Sequence, residues 1–264
     1  MFLNNLFHTE NTEHMFCKFE KVKTRLSMTA RTRGRFFLDT FHRDTYRRLK
    51  KLLQSHDLIL DVGSLNSPYT VYFSNTVVAI DLPQNGRFGY SEEVLKDLRL
   101  RRNLNTVIGN GDALPFKEEI FDKIICTEVL EHIYNDKYAV SEIARVLKLD
   151  GKVFITTPNK DEIPLECGIE EHIRHYTQKE LHALLSQFFE SVVIEKRFRF
   201  WLLPSAGYAF LARWHKNLFH IHLLLASLFS LSLYNLIYFF EKLLQSSNNK
   251  GSNLVSDCSN PVST

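Results

Sequence analysis

Short apolar runs alternate with amphipathic stretches through the middle of the chain. Leu58–Val62, Val77–Asp81, Thr106–Ile108, Lys123–Thr127 and Val153–Thr157 read as strands, with further strands at Val192–Lys196 and Ser252–Asp257. Apolar positions three and four residues apart predict helices over Glu92–Leu98, Asp136–Leu147 and Gln178–Phe189; the last carries Leu181, Leu184, Leu185 and Phe188. Strands of this kind are buried on both faces, and helices between them act as crossovers. The pattern therefore predicts an α/β fold with a mostly parallel sheet and helices on both faces. Four regions follow: a helical, basic segment over 1–55, the α/β core over 56–197, an apolar helical region over 198–245, and a polar tail over 246–264 that holds the candidate last strand.

Composition changes little in that picture. The chain has 264 residues, 44% hydrophobic and 24% charged, with a formal charge of +3, which is too small to argue for nucleic acid as a partner. Basic residues gather at Lys18–Arg35 and Arg43–Lys51. They read as a solvated helical face, with an anionic membrane surface as the alternative. Cys17, Cys126, Cys167 and Cys258 show no disulfide or metal spacing, and Cys126 sits inside an apolar strand. The N-terminus lacks a basic start and a sustained apolar stretch, so a cytoplasmic location is expected.

The region after residue 197 does change the picture. Leu218–Phe240 contains no Asp, Glu, Lys or Arg, and Trp214 and Tyr238 lie near its ends. It is long enough to cross a bilayer. His220, Ser227, Ser230 and Asn235 fall loosely on one side, which suits a helix that covers a substrate or lies on the cytoplasmic face of a membrane. A last strand at Ser252–Asp257 would bring the chain back to the sheet and exclude a single crossing.

The candidate chemistry lies at the strand ends, where open parallel sheets bind ligands. "DVGSLNSPYT", Asp61 to Thr70, follows the first apolar run and has one glycine, Gly63. Asp81 closes the second run and can accept from both hydroxyls of a ribose. After the third run comes "GDALPF". There Asp112 can accept from an adenine amino group, the Ala113 N–H can donate to a ring nitrogen, and Leu114 and Phe116 can flank a flat base. "TEVLEHI", Thr127 to Ile133, follows the fourth run.

Together these residues resemble the class I S-adenosylmethionine-dependent methyltransferases, in the broad type 11 group that includes quinone-biosynthesis enzymes. The resemblance spans about Leu58 to Phe189, and "GDALPFKEEIFDKIICTEVLEHI" is its most specific part. It implies a Rossmann-like seven-stranded sheet and S-adenosylmethionine as cofactor. The implied cofactor-binding residues are Asp61, Gly63, Ser64, Asp81, Leu82, Asp112, Ala113 and Thr127. A loop with Leu65 and Ser67 in place of further glycines is compatible with this cofactor, which carries no phosphate to seat against a helix N-terminus.

Acceptor activation has two readings. In one, His132 or His172 is a general base. In the other, Glu128, Glu131, His132 and His172 hold a divalent cation; Glu128, Glu131 and His132 are expected on one early helical turn. This spacing resembles metal-dependent small-RNA 2′-O-methyltransferases and quinone O-methyltransferases, which carry a similar acid–acid–His run and a later His. Helix packing is the plain alternative for His132, and His175 and Tyr176 are expected to shape the pocket or cap the next helix. The expected reaction is O-methylation of a small-molecule or lipid-linked acceptor, glycan or quinone-like. A non-catalytic binding protein or a membrane-anchored interaction protein are the alternatives.

Overall fold

The apolar runs become strands: β1 (Leu58–Val62), β2 (Thr76–Asp81), β3 (Leu104–Ile108), β4 (Phe121–Thr127), β5 (Leu147–Pro158), β6 (Phe189–Arg197) and β7 (Asn253–Pro261). They belong to a computed structural model that describes residues 40–64, 69–70, 73–83, 103–163, 165, 172–197 and 253–262. The described helices are α1 (Thr40–Leu52), α2 (Asp136–Val146) and α3 (Gln178–Leu185), with a turn of 3₁₀ helix at Leu130–His132. The expected helix at Glu92–Leu98, most of the basic N-terminal segment and the apolar 198–245 region lie outside the described residues. Among the described residues, no helix is long and apolar enough to cross a membrane.

The seven strands form one sheet in the order β3-β2-β1-β4-β5-β7-β6. β3 through β5 are mutually parallel, and β7 runs antiparallel between β5 and β6. This is the expected Rossmann-like sheet. Chain order runs outward from β1 on one side and from β4 on the other, so the crevice for a ligand opens at their carboxyl ends. β7 is the strand anticipated at Ser252–Asp257, a few residues longer. Arg197 pairs directly with Asn253, so the chain leaves and re-enters the sheet at neighbouring positions.

Strict alternation of side chains divides the core in two. Leu60, Val62, Ile124, Cys126, Val153 and Ile155 face one cluster, which α2 and α3 cover with Ala139, Val140, Ile143, Leu181 and Leu185. Ile59, Val77, Ala79, Ile125, Phe154 and Val255 face the other, beneath Leu49 of α1. Each fully buried aliphatic side chain contributes about 1.5–3 kcal/mol relative to exposure. The basic run over Arg43–Lys51 lies on α1. Arg48 bonds Glu195 of β6 at 2.6 Å, whereas Lys50 and Lys51 are exposed. This half of the basic composition behaves as an ordinary solvated face with an edge contact.

Local chemistry moves some expected boundaries. α3 stops at Leu185 rather than Phe189, because Ser186–Phe188 form a turn and Phe189 opens β6 by pairing with Pro261. Its cap is neither His175 nor Tyr176. Thr177 accepts from the Glu180 N–H at 3.2 Å and the Glu180 carboxylate accepts from the Thr177 N–H at 2.8 Å, a reciprocal capping box. β5 starts at Leu147, earlier than its apolar run suggests, and a register shift between Phe121 and Lys123 lets β4 follow it.

Candidate active site

Asp61 is buried within β1, and the chain leaves that strand through Gly63. Both Gly63 and Ser64 donate backbone N–H bonds to the Ile80 carbonyl, at 2.9 and 3.2 Å, which folds the loop against the end of β2. Gly63 has φ +67°, and a Cβ there would lie 2.3 Å from Val129 Cγ2. The sole glycine of the loop is therefore placed where both backbone conformation and close approach require one. Asp81 ends β2, half-buried, with Oδ1 accepting from the Leu82 N–H at 2.8 Å. Leu82 itself is 44% exposed at the rim.

The adenine loop reaches the same rim. Gly109 donates to the Asp81 carbonyl at 2.9 Å, so the chain leaving β3 is tied to the end of β2. Asp112 follows three residues later, half-buried. A Cβ on Gly111 would lie 3.2 Å from both Ile133 Cδ1 and Val62 Cγ1; the loop thus presses on the end of β1 and on the segment after the 3₁₀ turn. The Ala113 N–H donates to the Asn110 carbonyl at 3.3 Å to close a turn. One expectation fails here. Leu114 and Phe116 are core side chains, with Phe116 packed edge-on against Phe121, and do not flank a base. The loop is held instead from α2: Leu114 N–H donates to Glu142 Oε2 at 2.9 Å, and Arg145 donates to the carbonyls of Phe116 (2.8 Å) and Leu114 (3.1 Å).

Beyond half-buried Thr127, at the end of β4, the acidic and histidine residues gather. Glu128 does not share a helical turn with Glu131 and His132. It precedes the turn in the left-handed region, φ +56°. Its carboxylate accepts from Thr156 Oγ1 at 2.9 Å and from Asn253 Nδ2 at 3.1 Å on each oxygen, which turns it toward β5 and β7. Glu131 is fully buried; Oε2 accepts from Thr157 Oγ1 at 3.1 Å, while Oε1 has no hydrogen-bond partner among the described residues. Burial, and secondly the Glu128 carboxylate, hold the Glu131 carboxyl well above the usual carboxylate range. The later histidines return because Ile173 N–H donates to the Glu131 carbonyl (2.9 Å) and Tyr176 forms a bridge with Asn159 beyond β5. His172 then stands edge-on to His132, with centroids 4.6 Å apart. Burial, then His132 and His175, push the His172 imidazole down to about 4. Glu131, His132 and His172 each offer one ligand atom, all within 4.8 Å of one another. Glu128, expected in this group, is not part of it.

Residues 60–155 match the methyltransferase domain family. Over that stretch the chain is similar to the class I S-adenosylmethionine-dependent methyltransferases. An uncharacterized protein of Methanocaldococcus jannaschii is 32% identical over 117 residues, 44% of this chain and 47% of that protein. The ubiquinone/menaquinone biosynthesis C-methyltransferase UbiE of Shewanella piezotolerans is 25% identical over 138 residues, 50% of this chain and 55% of its own. The chain spans about half the length of these curated relatives. A solved S-adenosylmethionine-dependent methyltransferase of Thermotoga maritima superposes with a TM-score of 0.53 at 15% identity, covering 87% of this chain and 95% of that one, and shares the fold.

S-adenosylmethionine is the family's cofactor. The residues fit it: Asp81 and Asp112 stand at the carboxyl ends of adjacent strands, and the methyltransferase loop turns at a glycine whose Cβ position is already filled. They also fit a divalent cation, because Glu131 Oε1 is a buried carboxylate oxygen that no donor among the described residues satisfies. Sequence reading missed Thr157, Glu142, Arg145 and Asn253. Asn253 is 125 residues from Glu128, and no local pattern joins them. Gly63→Ala is expected to destabilise the methyltransferase core by about 2–4 kcal/mol, from left-handed backbone strain plus overpacking. Adding Val129→Ala removes the clash but not the strain, so urea denaturation should show partial recovery in the double variant. Equal stability of Gly63→Ala and the parent would contradict the close approach.

Proposed function

We propose that this chain transfers the methyl group of S-adenosylmethionine to an oxygen of a small-molecule or lipid-linked acceptor, glycan or quinone-like, with a divalent cation held by Glu131, His132 and His172. The observation that supports this most is the meeting of those three side chains, one of them a buried acid with an unsatisfied oxygen, on the strand rim that carries Asp81 and Asp112. Asp81 would accept the ribose hydroxyls and Asp112 the adenine amino group. Asp61, Gly63 and Ser64 lie where the amino-acid end would sit, with Leu82 and Thr127 beside the sugar and the sulfonium. In the transfer, the sulfur–methyl bond breaks as an oxygen–methyl bond forms, and S-adenosylhomocysteine leaves.

An acceptor hydroxyl is a poor nucleophile until it loses its proton. When bound, the cation would supply Lewis acidity that favours that loss and would fix the acceptor's orientation. Two imidazoles and one carboxylate suit Zn²⁺ or Mn²⁺ and also accommodate Mg²⁺. UbiE is named for methylation at carbon; the cation-ligand group here favours oxygen, because a hydroxyl gains most from such a neighbour. The low value of His172 keeps its imidazole neutral near pH 7; with no cation bound, its lone pair would instead be open to the acceptor's proton, as a general base.

Chelation separates these roles. Turnover measured by S-adenosylhomocysteine release is expected to fall on the order of 10²-fold in excess EDTA and to return with Mn²⁺, Mg²⁺ or Zn²⁺. Turnover that is indifferent to chelation overturns the cation and leaves activation to His172.

A further inference from the structure

We infer that His175 is a positioning residue that fixes the His172 proton on Nδ1 and leaves Nε2 bare for the Glu131–His132 group. The inference rests on the reading above, in which His172 must offer a lone pair, either to a cation or to an acceptor proton.

The geometry assigns each proton in turn. His175 is buried, and its Nδ1 lies 2.6 Å from the Ile163 carbonyl oxygen. A carbonyl only accepts, so His175 Nδ1 carries a hydrogen. The Nε2 of a neutral His175 is then a lone pair. It lies 2.7 Å from His172 Nδ1. Two lone pairs at that distance would repel, so His172 Nδ1 is the donor. Only Nε2 of His172 then remains as its ligand atom. The rings of His172 and His175 stand 5.0 Å apart at 76°, and those of His132 and His172 stand 4.6 Å apart at 83°. The contacts thus run from a backbone carbonyl through two imidazoles, the second of which offers a ligand atom within 4.8 Å of one on the buried acid. A free imidazole in water leans toward the opposite tautomer, with its hydrogen on Nε2. The Ile163 carbonyl and His175 therefore hold His172 in the form that can bind, as outer-shell partners do for histidine ligands.

The test needs no turnover. The full chain, metal-free and with ¹⁵N-labelled histidines, is examined by long-range ¹H–¹⁵N correlation near pH 7.5, and the His172 signals are assigned by their loss in His172→Gln. The expected pattern is hydrogen on Nδ1 of both His172 and His175. In His175→Phe the His172 hydrogen should move to Nε2 or exchange between the two nitrogens, and Mn²⁺ affinity should fall about 10–100-fold. His175→Gln keeps a carbonyl that can accept from His172 Nδ1–H, and should restore both. Wild-type His172 with its hydrogen on Nε2, or a tautomer unchanged in a folded His175→Phe, overturns the inference. If His175→Phe does not fold, the wild-type spectrum and the Gln variant decide. A bare Nε2 in a wild type that binds no Mn²⁺ would defeat the cation reading and leave this inference standing.

Discussion

Glu131→Gln is expected to raise the melting temperature of the metal-free protein at neutral pH while lowering methyl transfer by on the order of 10²-fold or more. The sign follows from linkage. In the unfolded chain this carboxyl ionises near its ordinary value, 4.5; in the fold, burial and then Glu128 hold it well above that. Between the two values the unfolded chain gives up a proton that the folded chain keeps, so stability falls as pH rises through that interval. Each unit of elevation costs about 1.4 kcal/mol, and each kcal/mol is worth about 2–4 °C in a domain of this size. Glutamine has no proton to lose, and its amide oxygen can still accept from Thr157. The gain should therefore appear at pH 7.5 and vanish at pH 4, where both states of the parent are protonated. Thermal melts across pH in the presence of a chelator read this directly. Saturating Mn²⁺ should reverse the ranking, adding about 2.7 kcal/mol to the parent at a hundred times Kd and nothing to the variant. A variant that melts below the parent at pH 7.5 without metal would mean that Glu131 is a structural acid.

The sheet was legible because its signal is local. Five parallel strands announce themselves as apolar runs, and the register needed to align Asp61, Asp81 and Thr127 at one rim follows from parallel pairing alone. β7 was legible for a different reason, since only a returning strand completes the sheet. The histidines were legible as chemistry but not as geometry. Helical spacing placed Glu128 beside His132, whereas the backbone takes the left-handed region at Glu128 and gives its carboxylate to Asn253, 125 residues away. Phe116 and Leu114 misled in the same way. A turn decides which side of a loop faces the core, and residue type does not reveal that choice. The clamp of Glu142 and Arg145 on this loop lies 28 and 29 residues downstream of the backbone groups it holds, on α2. What periodicity cannot encode is a side chain that satisfies the backbone of another element.

Asp81→Ala is expected to weaken S-adenosylhomocysteine binding by on the order of 10²-fold or more. A carboxylate that accepts from both ribose hydroxyls makes two charge-assisted bonds, each worth about 1.5–3 kcal/mol, and alanine replaces neither. The folded state should lose little, because Asp81 is half-buried at the end of a strand and one bond of its carboxylate is the local one to the adjacent Leu82 N–H. Asp81→Asn retains an oxygen in place and should fall between parent and alanine. Calorimetric titration with S-adenosylhomocysteine gives the ranking, and a parallel Mn²⁺ titration makes it specific. Asp81→Ala should keep the cation and lose the nucleoside, while Glu131→Gln should keep the nucleoside and lose the cation. Those opposite losses follow from the architecture. The proposed nucleoside residues hang on β2 and β3, the proposed cation ligands on the segments after β4 and β5, and β1 with Gly63 separates them. Asp81→Ala binding S-adenosylhomocysteine as tightly as the parent would show that the sugar does not rest on the end of β2, and the cofactor site would have to lie elsewhere on the sheet.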